Sequence, residues 1–208
     1  MKILIADDHA IVRKGLIGLL REEFRDADVQ EANSGSEVLD KTRQQKWDLI
    51  LLDISMPGRN GIDTLIQLRA DGIKTPILIL SMQPEEQYAI RALKAGASGF
   101  VNKDKATEEL ITAVRKVMSG RKYISESIAE KLAAGIDPGS DKLPHELLSN
   151  RELQVLQLIA SGKQVSEIAE EMSLSVNTIS TYRSRILEKL SLQNNAELTR
   201  YALDNGLA

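Results

Sequence analysis

The sequence predicts two domains of different class: an α/β domain with a doubly wound, five-stranded parallel sheet, then a small all-α domain. Three observations carry this. Over residues 1–120, five short apolar runs alternate with stretches whose apolar residues recur at helical spacing, the pattern of successive βα units on a parallel sheet. From Leu147 onward no strand pattern survives and four helical patterns remain. Between them, Gly135–Pro144 holds two Gly, two Pro, one Ser and two Asp, the composition of a flexible linker.

The apolar runs are Lys2–Ala6, Asp28–Ala32, Asp48–Leu52, Pro76–Leu80 and Ser98–Val101. Three are rich in Ile, Leu or Val with little alternation, as expected of strands covered on both faces. Val12, Leu16, Leu19 and Leu20 mark one face of the first helix, and further helices are expected over roughly 35–45, 60–70, 85–95 and 107–119. Ile124, Ile128 and Leu132 suggest a short helix over 121–134, within a linker assigned to 121–146. The last domain, 147–208, is read as helices 150–160, 164–172, 176–190 and 195–204. Ser149-Asn150-Arg151-Glu152 is a capping-box pattern for the first of these, and Ser175 is an N-cap candidate for the third.

A length of 208 residues fits two small domains, and 42% apolar content suffices for ordinary cores. There is no cysteine, which excludes disulfides and thiolate metal sites and suits a reducing compartment. The first apolar run ends at Asp7-Asp8, too short for a signal peptide or membrane span, so the expected location is cytoplasmic with no membrane partner. The net charge of −3 argues against a protein coated in nucleic-acid-binding charge.

Sites in doubly wound sheets lie at the carboxyl ends of the strands. Asp7-Asp8 follow the first strand, Asp53 ends the third, Ser81 ends the fourth and Lys103 follows the fifth. Taken singly, the Asp pair or Asp53 is equally well explained as a turn or cap. Together they form a hard, all-oxygen environment suited to Mg²⁺. His9 is read as a helix-start residue at the pocket rim, and His145 as a solvated linker side chain.

Asp7-Asp8, Asp53-Ile54-Ser55-Met56-Pro57-Gly58 with Gly61, Ser81, Ala95-Gly96-Ala97, Phe100 and Lys103 resemble the receiver domain of two-component response regulators. The resemblance covers essentially all of residues 1–120 and implies a flavodoxin/CheY-like sheet. It implies that Asp53 accepts a phosphoryl group from a sensor histidine kinase or a small phosphodonor. Asp8 and Asp53 would ligate Mg²⁺ directly, the Ser55 carbonyl would be a third protein ligand, and Asp7 would act through water. Phosphoryl transfer needs an in-line nucleophilic oxygen and positive charge on the equatorial oxygens, which Asp53, the metal and Lys103 would supply. Ser81 would donate its hydroxyl to the phosphoryl group and Phe100 would move into the space vacated, a two-state switch. Such a domain is not an enzyme beyond its own phosphoryl transfer and dephosphorylation. Three positions depart from common receivers: Ser81 stands where threonine is frequent, Phe100 replaces tyrosine, and Asp104 follows Lys103 where proline is common.

Leu148–Leu190 resembles the LuxR-type helix-turn-helix of NarL/FixJ-family regulators through Leu148-Ser149-Asn150-Arg151-Glu152, Val155-Leu156, Gly162, Ile168-Ala169, Leu174-Ser175, Thr178-Ile179, Tyr182-Arg183, Ile186 and Lys189-Leu190, with Ala196-Glu197-Leu198 beyond it. This implies that helix 176–190 enters the major groove of double-stranded DNA. Asn177, Thr178, Ser180, Thr181 and Ser184 would contact bases or phosphates, with Tyr182, Arg183, Arg185 and Lys189 as backbone partners. The family often carries lysine where this chain has Ser180 and Ser184. The last helix, with Leu198, Tyr201 and Leu203, would form the homodimer surface once the protein is phosphorylated. Residues 145–208 carry six Lys and Arg against eight Asp and Glu, a net of −2, so the DNA reading rests on the local basic strip within 176–190.

Rival readings are weaker. A haloacid-dehalogenase-like phosphohydrolase needs a second acid two residues after its nucleophile, where Ser55 stands. A dinucleotide-binding oxidoreductase needs glycines in the first βα turn, which here is Ala6-Asp7-Asp8-His9. A phosphate-independent regulator would not need the full set of acids, hydroxyl and lysine. An acidic helical interaction domain remains the alternative for the C-terminal part.

Overall fold

The computed structural model describes residues 1–82, 85–134 and 143–207. The chain divides into two compact units, Met1–Ile136 and Asp137–Ala208.

In the first unit, β1 (Lys2–Ala6), α1 (Ala10–Glu23), β2 (Asp28–Ala32), α2 (Gly35–Gln44), β3 (Leu49–Asp53), α3 (Gly61–Ala70), β4 (Ile77–Ser81), α4 (Glu85–Lys94), β5 (Gly99–Asn102) and α5 (Ala106–Met118) follow in strict alternation. The sheet has the order β2-β1-β3-β4-β5 with every pairing parallel. This is the expected doubly wound topology. Parallel neighbours need crossovers, and the helices provide them on both faces. That is why β3 and β4 are buried at every position and read as continuous apolar runs. One face packs Ile3, Ile5, Leu49, Leu51, Leu78, Leu80 and Val101 against Leu16 and Leu20 of α1 and Leu110, Val114 and Val117 of α5. The alternate pleat positions Leu4, Ile50, Leu52, Ile79 and Phe100 are also buried. Each such side chain contributes about 1.5–3 kcal/mol.

Strand order reverses between β1 and β3, so the crevice lies at their carboxyl ends. The last three strands each end one residue beyond the apolar runs, so that Asp53 and Ser81 close β3 and β4 as expected, paired in register with Leu80 and Asn102. The loop after β3 folds back so tightly that Gly61 N donates to Ile54 O at 2.9 Å. A Cβ on Gly61 would lie 1.9 Å from Asp53 O; only glycine permits this approach. Asn60 caps α3 through a 2.7 Å bond from Asp63 N.

The segment after α5, expected to be linker, belongs to the first unit. Tyr123 bridges to Gly99 at the β5 edge, donating to Ser98 O and accepting from Phe100 N. A side chain at Gly99 would collide with the Tyr123 carbonyl at 2.6 Å. Helix α6 (Glu126–Ala134) then lies against α4 and buries Ile128 completely. Among the described residues, Ile128, the Tyr123 edge pairing and a bond from Lys122 Nζ to Ala97 O hold the segment in place. Most of the expected flexible stretch, 135–142, lies outside the described residues.

The second unit begins with a 3₁₀ turn at Pro144–Leu147 and contains α7 (Asn150–Ala160), α8 (Val165–Glu171), α9 (Val176–Leu190) and α10 (Asn195–Asp204). The capping box at Ser149 and Glu152 is formed, and Ser175 accepts from Thr178 N; such caps contribute roughly 1 kcal/mol each. Ser173 takes a left-handed φ of 52°. It closes α8 through Leu174 N to Ala169 O at 2.8 Å and sends the chain into α9. Leu153, Leu156, Ile168, Met172, Ile179, Ile186, Leu198 and Ala202 form the core.

Candidate functional site

The carboxyl ends of β1, β3 and β5 bring three charged groups together. Lys103 Nζ lies 2.6 Å from Asp7 Oδ2 and 2.9 Å from Asp53 Oδ2. Asp7 and Asp53 are each 1% exposed, and the Lys103 side chain 8%. A β5 register places Lys103 here, and Asn102 fixes the turn by accepting from Asp104 N at 2.9 Å.

Two buried carboxylates share one ammonium, so the group keeps a net negative charge. Burial raises the Asp53 carboxyl above its ordinary range; Lys103 opposes this and Asp7 adds to it. Burial alone would lower Lys103, but the facing Asp53 and Asp7 outweigh it and hold the ammonium above its usual value. Asp53 Oδ1 is buried without a well-formed hydrogen bond among the described residues; the Ser55 backbone supplies only a weaker favourable interaction. An orphaned anionic oxygen in an all-oxygen pocket is what a hard divalent cation satisfies. The residues present therefore fit Mg²⁺, and receiver domains as a class bind it at such an acidic pocket.

The other expected site residues are placed less uniformly. Asp8 stands at the rim with a 29% exposed side chain, paired to His9 Nδ1 at 2.8 Å. His9 is the N-terminal flanking residue of α1, donating its amide to Asp7 Oδ1 at 2.8 Å, the helix-start role expected of it. Asp7, Asp8 and His9 form one cluster with ligand atoms within 4.8 Å. Ser55 is half-buried on the loop after β3. Ser81 is fully buried at the end of β4 and Phe100 is 1% exposed one strand further on. Sequence reasoning missed Arg13, whose guanidinium reaches the Asp7 carbonyl. A basic residue in a helical first turn gave no signal of that contact.

On α9, Asn177, Ser180, Thr181, Ser184 and Arg185 are exposed along one face. Asn177, Thr178, Thr181, Tyr182 and Arg185 line a shallow open groove. Thr181 and Ser184 donate to carbonyls one turn back, which leaves their lone pairs outward. The expected basic strip is thinner than its sequence. Lys189 pairs with Glu152 Oε2 at 2.6 Å, and Glu152 is 3% exposed. Arg183 donates to Asn195 Oδ1 of α10. Arg185 is the cation left facing the groove. Helical period turned two of the three cations toward neighbouring helices, which a count along the sequence does not register.

Two further expectations are corrected. Leu198, assigned to a dimer surface, is fully buried in the core of the second unit, whereas Leu203 is 62% exposed. His145 is not simply solvated: its Nδ1 lies 3.0 Å from Tyr201 Oη, with the rings edge to face. Among the described residues no helix is long and apolar enough to cross a membrane.

A parallel α/β unit with a buried Asp–Lys–Asp cluster, joined to a unit whose α8 and α9 meet at a tight turn, defines a class: a phospho-acceptor switch coupled to a nucleic-acid-binding module. The comparisons agree. The model of the response regulator receiver domain matches residues 3–115. That of bacterial regulatory proteins of the luxR family matches 146–202. The response regulator UvrY of Escherichia coli strain K12 is 34% identical over 208 residues, covering 100% of this chain and 95% of its own. The oxygen regulatory protein NreC of Staphylococcus carnosus is 38% identical over 214 residues, covering 100% and 99%. Among solved structures, RcsB of Salmonella enterica serovar Typhimurium, bound to promoter P1flhDC with the phosphomimetic BeF₃⁻, superposes with a TM-score of 0.59. It is 28% identical over 97% of each chain. This chain belongs to the NarL/FixJ family of response regulators, transcription regulators that join a receiver domain to a LuxR-type DNA-binding domain.

Proposed function

We propose that Asp53 accepts a phosphoryl group from a sensor histidine kinase and that the phosphorylated chain forms a homodimer that binds double-stranded DNA and regulates transcription. The buried Asp7–Lys103–Asp53 cluster carries the proposal, because it combines a nucleophilic oxygen, carboxylate oxygens of the kind a hard cation takes and a fixed positive charge. In the transfer, an Asp53 oxygen attacks phosphorus, the phosphorus–nitrogen bond of the donor phosphohistidine breaks, and the leaving nitrogen keeps the electron pair. A bound Mg²⁺ supplies charge neutralisation for the equatorial oxygens. Asp8, Asp53 and the Ser55 carbonyl would hold it, with Asp7 acting through water. Lys103 already ion-pairs with Asp53 and stabilises the added charge. Ser81 donates its hydroxyl to the phosphoryl group, and Phe100 follows it as the switch. The chain catalyses no reaction beyond its own phosphorylation and dephosphorylation.

In the second unit, the exposed face of α9 with Asn177, Ser180, Thr181, Ser184 and Arg185 is the proposed base-facing surface, flanked by Thr178 and Tyr182. Arg183 and Lys189, engaged with Asn195 and Glu152, are at most secondary phosphate contacts. The receiver spans 1–120 with 121–134 docked on it, and the DNA-binding domain spans 147–208. The protein works in the cytoplasm. The deciding experiment labels the full chain with acetyl phosphate and Mg²⁺. The unmodified chain takes up phosphate and shifts a DNA fragment selected from a random pool; Asp53→Asn does neither. Labelling of Asp53→Asn overturns the assignment.

A further inference from the structure

The turn between β1 and α1 carries Asp7 and Asp8, yet its backbone is held from an unexpected direction. Arg13, in the first turn of α1, folds its side chain back over the start of its own helix. Nη1 donates to Asp7 O at 2.7 Å, and Nε donates to Glu31 Oε2 at 2.7 Å on β2. Only 14% of the Arg13 side chain is exposed. The position is electrostatically poor for a cation. The positive end of the helix dipole lies here, α1 has no acid in its first turn, and His9 provides no side-chain cap. Burying a guanidinium there is favourable chiefly through the carbonyl and the carboxylate it reaches, with Glu37 adding a longer-range attraction. One acceptor lies in the turn after β1 and the other on β2, and they use two directions of one planar fork, a geometry that a lysine ammonium does not reproduce.

Asp7 is also fixed by its amide to Ala32 O at 3.2 Å, and its Oδ1 accepts from His9 N at 2.8 Å. The only side-chain donor on its carbonyl among the described residues is Arg13. The guanidinium therefore braces the last peptide before Asp8 against both the helix and the neighbouring strand.

We infer that Arg13 is a positioning residue for the cation site: it fixes the Asp7–Asp8 turn in the orientation that a divalent cation requires. The inference rests on the Mg²⁺ site proposed above. Its sign separates it from simple electrostatics. Removing a positive charge near an acidic pocket should tighten cation binding; removing a brace should weaken it. For Arg13→Gln the expected result is a Kd for Mg²⁺ raised about tenfold, at the low end for groups that orient metal ligands. Arg13→Lys keeps the charge but not the fork and is expected to recover only part of the loss. Glu31→Gln removes one of the two anchors and is expected to give a smaller increase.

The experiment titrates Mg²⁺ calorimetrically into the full chain and its variants, with urea unfolding alongside. Labelling by acetyl phosphate then gives an independent pattern: the half-saturating Mg²⁺ concentration rises, while the rate at saturating Mg²⁺ stays close to that of the unmodified chain. A Kd that is unchanged or lower in both Arg13→Gln and Arg13→Lys overturns the inference, even where stability falls. Should Arg13→Gln not fold, Arg13→Lys and Glu31→Gln decide on the same criterion. If the unmodified chain binds no Mg²⁺, the proposed site fails and this inference fails with it. If that chain binds and only the Arg13 effect is missing, the site stands and the brace is refuted.

Discussion

The two units treat charge in opposite ways. In the receiver, Lys103 lies within ion-pair distance of Asp7 and Asp53 with all three groups nearly sealed from water. In the DNA-binding unit the groups on the exposed face of α9 stand in solvent, and among the described residues the one buried charge, Glu152, belongs to the scaffold. A buried cluster binds its members to one another, so altering one changes the ionisation of the rest. An exposed face is a set of nearly independent contacts whose removal leaves the fold unmoved.

The largest test of this contrast is Lys103→Met. It leaves two buried carboxylates without their ammonium and is expected to cost about 3–5 kcal/mol at neutral pH. Because Asp53 then protonates more readily still, the loss should shrink on acidification, as read by urea unfolding between mildly acidic and neutral pH. A loss independent of pH would mean that the two carboxylates do not share this ammonium. Gly61→Ala comes next, at about 2–3 kcal/mol, since the added methyl meets the Asp53 backbone and not a flexible side chain. Labelling by acetyl phosphate should fall with it, because the displaced residue is the proposed phospho-acceptor.

Hydrogen exchange on the full chain separates the two units through pH. The folded-state pKa of Asp53 is raised, so its contribution to stability is present below the ordinary carboxylate value and lost as pH rises through the raised one. Glu152 behaves oppositely. Burial pushes it up, but Lys189 and Ser149 more than compensate and hold it low; its contribution is present above the ordinary value and lost as pH falls through the depressed one. Mild acidification should therefore raise protection factors in β3 relative to those in α7. Equal changes in both would refute the assignment.

Smaller effects separate scaffold from working surface. Lys189→Met should destabilise the second unit by about 1–2 kcal/mol, a figure reduced because the ammonium itself is partly in water. Arg185→Ala should leave stability within roughly 0.5 kcal/mol, yet weaken DNA binding and lower its salt dependence by about one phosphate contact. Were Lys189→Met instead to change only the salt dependence, α9 would face DNA by a different side.

The receiver site was legible because it depends on order. Asp7, Asp53, Ser81 and Lys103 each fall at a strand end, and a parallel sheet sends all strand ends to one rim. Helix boundaries were legible for a related reason: Ser149, Ser175 and the apolar period report local hydrogen bonding and burial. The fate of side chains between elements was not. Lys189 and Arg183 were expected as backbone partners of DNA, and nothing in their spacing showed that Glu152 and Asn195 also engage them. Leu198 had the same apolar character whether it faced a partner or the core. The 121–134 segment showed its helical period through Ile124, Ile128 and Leu132 but not its docking, because the burial of Ile128 and the backbone bridge at Gly99 depend on groups distant in sequence.

The element order, the parallel sheet, the acids and lysine at its rim and the family of the chain follow from the amino-acid order alone, since periodicity and local chemistry are written residue by residue. Folding in three dimensions set the rest: one ammonium serves two carboxylates, Arg13 braces the turn beneath them and α9 keeps one of its three cations for the groove. Those outcomes depend on which distant groups come within about 3 Å of one another, where hydrogen bonds and ion pairs form. No spacing along the chain encodes that distance.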